Sequence, residues 1–427
     1  MVSHLLRAFA GLLLVVALAG GFLAHAQTPT VVDPSDAFFD DSVVQSISLT
    51  INSRDWENLR IHYLENTYYP CDFKWNGVTV RNIGVRSRGT GSRSGVKPGL
   101  RVDFDRYTDS QTFVGLKSFI LRNQTQDASN MHERISMQLF RRLGVKVSRE
   151  AFTKLFVNNS YEGLYSIVES VDKTFLKKSF GEDNGYLYKY DYNVDDKPYY
   201  FEDRGTKPEL YVPLPFKPET NETDPHPEPI AELVRIVAHD SDAVFPTTIE
   251  PYVDWDNFTR HIAIENVLAD QDGFNGNYGI NNFYWYRYQN KNRFVWIPWD
   301  KSEAFKDGAA LPIFHNFLDG DPAKRNRLSA RAMTIPAVQA MYLDRLVDAA
   351  KSMRELDPKN PTDTRGWMER EIQREYDQIH DLVYSDTLKP FSNAEFEAEV
   401  ERLRAFARAR PAFIESAVAE WRASRGF

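Results

Sequence analysis

The sequence predicts an α+β fold, with a β-rich amino-terminal half and a mainly helical carboxyl-terminal half. Residues 43–170 consist largely of short strand-like runs, with one strong helical pattern among them. Residues 330–427 are almost wholly of helical pattern and are rich in Arg, Glu and Leu. The chain has 427 residues, which is enough to bury a large core either as one domain or as two lobes.

The first 26 residues predict a cellular location. Arg7 is followed by an apolar run and then by Ala24-His25-Ala26, a pattern that is typical of a cleaved secretory signal peptide. A membrane anchor is the alternative, but the apolar run is shorter than the roughly 20 residues that a spanning helix needs. We expect a signal peptide over residues 1–26, a linker over residues 27–42, and a secreted, periplasmic or cell-surface protein without a stable membrane span.

The chain is mildly acidic and contains one cysteine. Its formal charge is −8 at pH 7, and loss of Arg7 would take the mature protein to −9, since −8 minus +1 is −9. This charge disfavours a nucleic-acid partner. Cys71 has no second cysteine to pair with, so stability must come from burial of the core even in an oxidising compartment.

The amino-terminal half predicts mainly strands. The first strand begins near Val43, and the apolar spacing of residues 55–66 suits a short helix. Three further strand segments follow, at residues 71–89, 99–107 and 115–122. An antiparallel sheet is the simplest arrangement for such segments.

The elements that follow are one helix, two strands and a second helix. The first of these helices has Ser129 as its predicted N-cap and ends before Gly144. Two strands are then joined by a turn at residues 158–160. Residues 195–229 are polar and rich in proline, which predicts a surface insertion, and a further helix occupies residues 254–269.

Residues 266–305 combine acids and amides with many aromatic residues. The acids and amides are Asp270, Asp272, Asp300, Asn275, Asn277, Asn281 and Asn282. They supply oxygen ligands and no thiolate or imidazole, a set that suits hard cations such as Mg²⁺ or Mn²⁺. A predicted aromatic hairpin separates Asp272, in the loop after a helix, from Asp300, at the end of a strand. We therefore expect the two carboxylates to approach one another.

Two other interpretations of these residues stay open on the sequence alone. Asp and Asn in loops commonly form turns and caps, so the acids would then have only a structural role. A calcium-binding loop is the second interpretation, since Asp270 and Asp272 match its first two ligand positions. Phe274 stands where the third ligand belongs, however, and Asn275 stands where glycine is required.

Several separate segments together resemble one known family. They are GVRSRGTGSRSGVKPGLRVDFDRY, GLKSFILRNQTQDASNMHERISMQLFRRLGV, VNNSYEGLYSIVESVDKTFLKKSF, DNGYLYKYD, NVLADQDGFNGNYGINNFYWY and FVWIPWDKSEAF. In this order they resemble the CotH kinase family of spore coat protein H relatives. The resemblance covers roughly residues 43–310.

The resemblance implies a fold and an activity. The fold would be an atypical, two-lobed protein-kinase-like fold, with the amino-terminal lobe at about residues 43–170 and the catalytic region at about residues 254–310. Residues 311–427 would be the carboxyl-terminal helical part of the second lobe. The activity would be ATP-dependent phosphorylation of protein Ser or Thr hydroxyls with Mg²⁺ or Mn²⁺.

The resemblance also implies roles for individual residues. Asp272 would be the catalytic aspartate, with Asp270 the weaker candidate, and Asp300 would hold the metal. The metal-binding amide best matches Asn282, although Asn277 has the spacing from Asp272 found in ordinary kinases. Asp300 is often followed by a further acid in this family, whereas Lys301 follows it here, and Glu303 would have to take the missing role.

Cofactor contacts are expected from the basic, glycine-rich segment at residues 84–101. Such a segment suits phosphates, because glycines let the backbone approach and cations neutralise charge; a solvated basic loop is the alternative. By resemblance, the ATP-binding residues would be Arg88, Lys97, Arg101, Glu169 and Lys189. We expect Lys97 and Arg101 to be exposed, and Glu133 is the candidate to pair with a cation of this set.

Two functions from different classes follow. The first is a secreted or envelope protein Ser/Thr kinase that uses ATP and a divalent metal. The second is a non-catalytic surface, adhesion or matrix-binding module that retains the fold, which the lysine at position 301 would favour. A metal-dependent hydrolase is disfavoured, because such enzymes usually gather histidines or several acids at one site.

Overall fold

A computed structural model describes residues 33–191 and 198–425. The predicted α+β composition is confirmed, with strands dominant up to residue 169 and helices dominant from residue 327 onwards. The predicted signal peptide and the first part of the linker lie outside the described residues. Within these two ranges, no helix has the length and apolar character needed to cross a bilayer.

The elements occur in the following order. The amino-terminal part comprises β1 (Gln45–Ile51), α1 (Ser53–Ile61), β2 (Tyr69–Trp75), β3 (Val78–Ser87), β4 (Leu100–Asp103), β5 (Ser118–Arg122), α2 (His132–Arg142), β6 (Glu150–Val157) and β7 (Ser160–Glu169). The carboxyl-terminal part comprises α3 (Lys173–Phe180), β8 (Tyr186–Tyr190), β9 (Phe216–Pro218), α4 (Glu228–His239), α5 (Phe245–Ile249), α6 (Trp255–Val267), β10 (Phe283–Arg287), β11 (Phe294–Pro298), α7 (Arg327–Ala332), α8 (Pro336–Met353), α9 (Trp367–Ser385) and α10 (Asn393–Arg425).

The strands β1 to β7 form a closed barrel in the order β1-β2-β3-β4-β5-β7-β6. Neighbours are antiparallel except for β1 and β6, which run parallel with Ile47 opposite Leu155. The predicted strands are thus correct, but the sheet closes on itself through a pair of strands that are far apart in the chain. Aromatic rings fill the interior: Phe38, Phe73 and Phe119 have centroids 5.1, 5.7 and 6.2 Å apart.

Two local predictions in this part have different outcomes. The turn between β6 and β7 is confirmed, and Asn158 and Asn159 have the positive φ values of 51° and 68° that a tight hairpin turn favours. The predicted N-cap of α2 at Ser129 is wrong. The helix begins at His132, whose backbone N–H donates to the carboxylate of Asp127 at 2.7 Å. Asp127, two residues before Ser129, therefore takes the capping role that was expected of the serine.

A second sheet has the strand order β11-β10-β8-β9. The strand β9 comes from residues 195–229, for which the sequence predicted a surface insertion. This prediction needs correction for the described part of the segment, because Phe201, Tyr211 and Phe216 are buried there. The rings of Phe201 and Phe216 contact Trp285 of the sheet, at 5.8 and 4.7 Å between centroids. The aromatic residues that hold the segment are not regularly spaced in the sequence, so no periodic pattern indicates that they are buried.

The helices of the carboxyl-terminal half pack around α6. This helix contacts α8 and β11, and α10 packs against α8 and α9. The prediction of a helix over residues 254–269 is confirmed, with Asp254 as the N-cap that accepts from the N–H of Asn257 at 3.1 Å. The other end of α6 is capped by the buried Arg410, whose guanidinium donates to the carbonyls of Asn266 and Val267. This fixes the point from which the loop carrying Asp272 leaves the helix.

Candidate active site

A polar cavity of about 490 Å³ is lined by both halves of the chain. It brings together five of the eight site residues predicted from the sequence: Arg88, Lys189, Asp272, Asn282 and Asp300. The loop between β3 and β4 contributes one wall, through residues 88–93. The loop after α6 and the two ends of the β10–β11 hairpin contribute the other.

Asp272 is held in place by amides. Its two carboxylate oxygens accept hydrogen bonds from the side-chain nitrogens of Asn281, at 2.9 Å, and Asn282, at 2.8 Å. Burial raises the pKa of Asp272 to about 7; the nearby charges of Asp270 and Asp300 also raise it, while the bond from Asn281 opposes the shift. The carboxyl group is therefore poised to exchange a proton near neutral pH.

Asn282 and Asp300 lie side by side because they flank the hairpin. Phe283 pairs with Pro298 in the register, and the N–H of Trp299 donates to the carbonyl of Asn282 at 3.1 Å. Both residues have left-handed backbones, with φ values of 55° and 49°. Asn and Asp tolerate this conformation better than most residues, so the types found here suit the geometry.

Asp300 sits against a buried arginine that the sequence interpretation missed. Arg122, at the end of β5, places one guanidinium nitrogen 2.8 Å from Asp300 Oδ2 and another 2.5 Å from Glu133 Oε2. Burial alone would raise the pKa of Asp300, but the charges of Arg122 and Arg88 outweigh it and lower the pKa to about 2. The carboxylate is thus ionised at neutral pH. Glu133 was expected to pair with a cation, and its partner is Arg122.

Two cations, Arg88 and Lys189, line the cavity together with the acids. Burial and the neighbouring charge of Arg122 lower the pKa of Arg88 to about 10, and burial and the charge of Arg88 lower that of Lys189 to about 8. Two cations held close together and partly out of water gain by accepting an anion between them. The backbone next to Arg88 packs closely against Ser92. Gly89 has φ of +116°, and a Cβ there would lie 2.5 Å from Ser92 Oγ.

The remaining three predicted cofactor residues lie elsewhere. Lys97 is 1% exposed and its ammonium lies 2.6 Å from Asp386, so the expectation of an exposed cation is wrong for this residue. Arg101, on β4, donates to Ser118 at 3.2 Å. Glu169 forms a two-point ion pair with Arg149, at 2.5 and 3.0 Å.

The alternative ligand candidates Asn277 and Glu303 lie away from the residues that line the cavity. Asn277 faces Asp307, at 3.1 Å, and His315, at 2.8 Å, outside the residues that line the cavity. Glu303 pairs with Lys306 at 2.7 Å. Lys301 points away from the cavity into a fully buried position. Its charge therefore does not occupy the space beside Asp300.

The residues at the acidic wall fit a hard divalent cation. The carboxylate of Asp300 is ionised and lines the cavity. Since the amide nitrogen of Asn282 donates to Asp272, its amide oxygen is the atom able to act as a ligand. A carboxylate and an amide oxygen suit Mg²⁺ or Mn²⁺, and Arg88 and Lys189 in the same cavity suit phosphate oxygens.

A second group of ligand-type side chains lies nearby. Asp127, His132 and Glu399 place one ligand atom each within 4.8 Å of one another. His132 Nε2 is 2.7 Å from Glu399, and Glu399 in turn pairs with Arg402 at 2.8 Å. Burial would lower the pKa of His132, but the charges of Asp127 and Glu399 raise it. His132 Nδ1 lies 3.0 Å from the carbonyl oxygen of Ser302, so both ring nitrogens face acceptors and both must donate. We therefore interpret the group as a protonated histidine between two carboxylates.

Comparison with known proteins adds two findings. Over residues 85–414 the chain matches the family described as CotH kinase protein. It is also 23% identical over 369 residues to the inner spore coat protein H of Bacillus subtilis (strain 168), across 86% of this chain and 95% of that protein. The family match includes all five cavity residues predicted from the sequence.

Proposed function

The chain belongs to the CotH kinase protein family, and on that premise we propose that it is a secreted or envelope protein Ser/Thr kinase that depends on ATP and a divalent metal. The single observation that carries the proposal is the cavity that Asp272, Asn282 and Asp300 line together with Arg88 and Lys189. Phosphoryl transfer needs a carboxylate near the attacking hydroxyl, oxygen ligands for a cation, and positively charged side chains near the phosphates.

In this proposal the barrel with α2 corresponds to the amino-terminal lobe, at about residues 43–170, of a two-lobed kinase-like fold. Residues 254–310 supply the catalytic region, and residues 311–427 complete the second lobe with helices. The cavity is lined from both parts, which is the arrangement expected of a site between two lobes. The predicted signal peptide at residues 1–26 supports export.

Each cavity residue then has a distinct task. Asp272, with its pKa near 7, accepts the proton of the acceptor hydroxyl, because a base works best when its pKa lies near the working pH. Asp300 and the amide oxygen of Asn282 hold Mg²⁺ or Mn²⁺, which when bound neutralises charge on the phosphates. Arg88 and Lys189 contact the phosphates. Lys97 is left out of this set, since its ammonium is buried against Asp386.

The test is transfer of labelled phosphate from ATP to the purified full chain or to a library of Ser- and Thr-containing peptides, with and without Mg²⁺ or Mn²⁺. Asp300→Asn should weaken metal-dependent ATP binding, because it removes a full charge from the cation site. Asp272→Asn should keep binding but lower transfer by about 10²-fold or more, the scale for loss of a positioned base. Asp344→Asn is a control for charge loss on the exposed surface of α8.

The proposal fails if the parent chain transfers no phosphate and both variants bind ATP and metal as the parent does. The second candidate function, a non-catalytic surface, adhesion or matrix-binding module, would then be preferred. It is favoured by one specific observation, the name of the relative as a spore coat protein, which describes a place in a layer and no reaction.

A further inference from the structure

Lys301 lies directly behind the cavity and is fully buried. Its ammonium group lies 2.5 Å from Glu265 Oε1, 2.9 Å from Asp270 Oδ2 and 3.3 Å from the backbone carbonyl of Asn282. An ammonium has three N–H donors and no acceptor. All three donors of Lys301 are therefore used, and each bonds to a different segment of the chain.

Each acceptor leads to a part of the proposed site. Asp270 also accepts the backbone N–H of Asp272 at 3.1 Å, so it holds the loop that carries the proposed base. Glu265, on α6, accepts the backbone N–H of Phe274 at 2.8 Å on the other side of the same loop. Asn282 is a proposed cation ligand. Lys301 itself follows Asp300, so any displacement of its side chain is transmitted to that residue.

The packing leaves little freedom for this arrangement. A Cβ on Gly273, in the middle of the loop, would lie 2.7 Å from both Asp270 and Glu265. A buried lysine between two carboxylates is by itself a weak source of stability, because the desolvation of three charges offsets their attraction. The contacts of Lys301 are better explained as a device that fixes geometry.

We propose that Lys301 is a positioning residue that sets the distance between the base Asp272 and the cation ligands Asn282 and Asp300. The inference rests on the proposed function and deepens it. It also gives a role to the residue that stands where the family often has an acid. A positively charged group there would weaken a cation site if it faced the cavity, but the ammonium faces Glu265 and Asp270.

The experiment measures binding of Mn²⁺ together with a non-hydrolysable ATP analogue. Binding is followed by calorimetry and by the electron paramagnetic resonance signal of Mn²⁺, at a temperature well below that of unfolding. Two variants are compared with the parent. Lys301→Met removes the ammonium and keeps a similar length. Lys301→Met combined with Asp270→Asn removes one charge of each sign, so the net charge of one lysine and two carboxylates in the cluster stays at the parent's −1. This charge-balanced variant is the one to use if the single variant does not fold.

A control tests for mere loss of a buried contact between a basic and an acidic side chain. Arg134 and Glu375 are 1% and 0% exposed, lie 3.3 Å apart and join α2 to α9 outside the cavity lining. Arg134→Met combined with Glu375→Gln should lower the melting temperature without altering Mn²⁺ binding. The charge-balanced Lys301 variant should bind Mn²⁺ with the analogue about 10-fold to 100-fold more weakly, the range for loss of a partner that orients metal ligands.

The inference is overturned if the charge-balanced Lys301 variant binds within about threefold of the parent while its melting temperature falls as in the control. If the parent binds Mn²⁺ and the analogue but transfers no phosphate, the proposed kinase function fails and the binding ratio still decides the role of Lys301. If the parent does not bind them at all, both proposals are overturned.

Discussion

The buried pair of Lys97 and Asp386 allows a direct test of whether Lys97, in the glycine-rich loop, binds phosphate or stabilises the fold. The two side chains are 1% and 2% exposed and lie 2.6 Å apart, across 289 positions of sequence. If Lys97 bound phosphate, its removal would weaken ATP binding and leave stability unchanged. The structure predicts the opposite for Lys97→Met.

The expected cost follows from the surroundings of Asp386. Removal of one partner of a buried pair costs about 3–5 kcal/mol, because the other charge is left without compensation. Asp386 keeps hydrogen bonds from the N–H groups of Leu164, at 3.0 Å, and Leu388, at 2.9 Å. These bonds place the cost of Lys97→Met near the lower end, about 3 kcal/mol of unfolding free energy. For a chain of this size that corresponds to a fall of about 4 °C in melting temperature.

The assay is denaturant and thermal unfolding, combined with ATP-analogue binding at a temperature where every variant is folded. In a double-mutant cycle, Lys97→Met combined with Asp386→Asn should recover part of the lost unfolding free energy, since both side chains of the pair are then neutral. Arg88→Met, a change in the cavity wall, should show the reverse pattern, with weaker binding and a small change in stability. A Lys97→Met protein with parental stability and weakened binding would refute the reasoning.

Two further predictions concern neighbouring features. Gly163 has φ of +106°, and a Cβ there would lie 2.4 Å from Asp386, so Gly163→Ala should lower the unfolding free energy by about 1–3 kcal/mol from backbone strain alone, and by less in an Asp386→Ser background than in the parent. The raised pKa of His132 results from the charges of Asp127 and Glu399, which outweigh the opposite effect of burial. Its protonated form adds stability that is complete below the ordinary pKa of 6.5 and is lost as pH rises through the folded-state pKa. Glu399→Gln should therefore flatten the decline of melting temperature above about pH 6.5; an unchanged decline would contradict the assignment.

Local patterns in the sequence predicted that acids would meet at the cavity. The aromatic residues of the hairpin alternate and its ends must lie together, so the approach of Asp272 and Asp300 was predicted from the sequence, whereas Asn282 was assigned by family resemblance. The helix before Asp272 has a clear N-cap at Asp254, and its apolar residues Phe258, Ile262, Ile264 and Val267 are buried. These features depend on residues within one or two elements of each other, which periodicity and capping rules describe.

The parts that were missed depend on long-range contacts. Arg122 is one basic residue at the end of a strand, and nothing nearby in the sequence indicates that Asp300 will lie 2.8 Å from it. Lys97 stands among glycines and cations, a setting typical of a phosphate loop, but closure of the barrel turns its side chain towards α9. Basic residues of similar local setting were therefore assigned the same role, although Arg88 faces the cavity and Lys97 does not.

The two acids of the proposed site differ in charge state because their neighbours differ. Burial raises the pKa of both, and so acts against ionisation of both carboxyl groups. Arg122 and Arg88 reverse this for Asp300, whereas Asp270 reinforces it for Asp272. Carboxyl groups whose environments push their pKa values apart are suited to different tasks. Asp300, when ionised, can hold a cation, and Asp272, with a pKa of about 7, can take up a proton near neutral pH. The guanidinium of Arg122 is thus as necessary to this division of roles as the two carboxylates are.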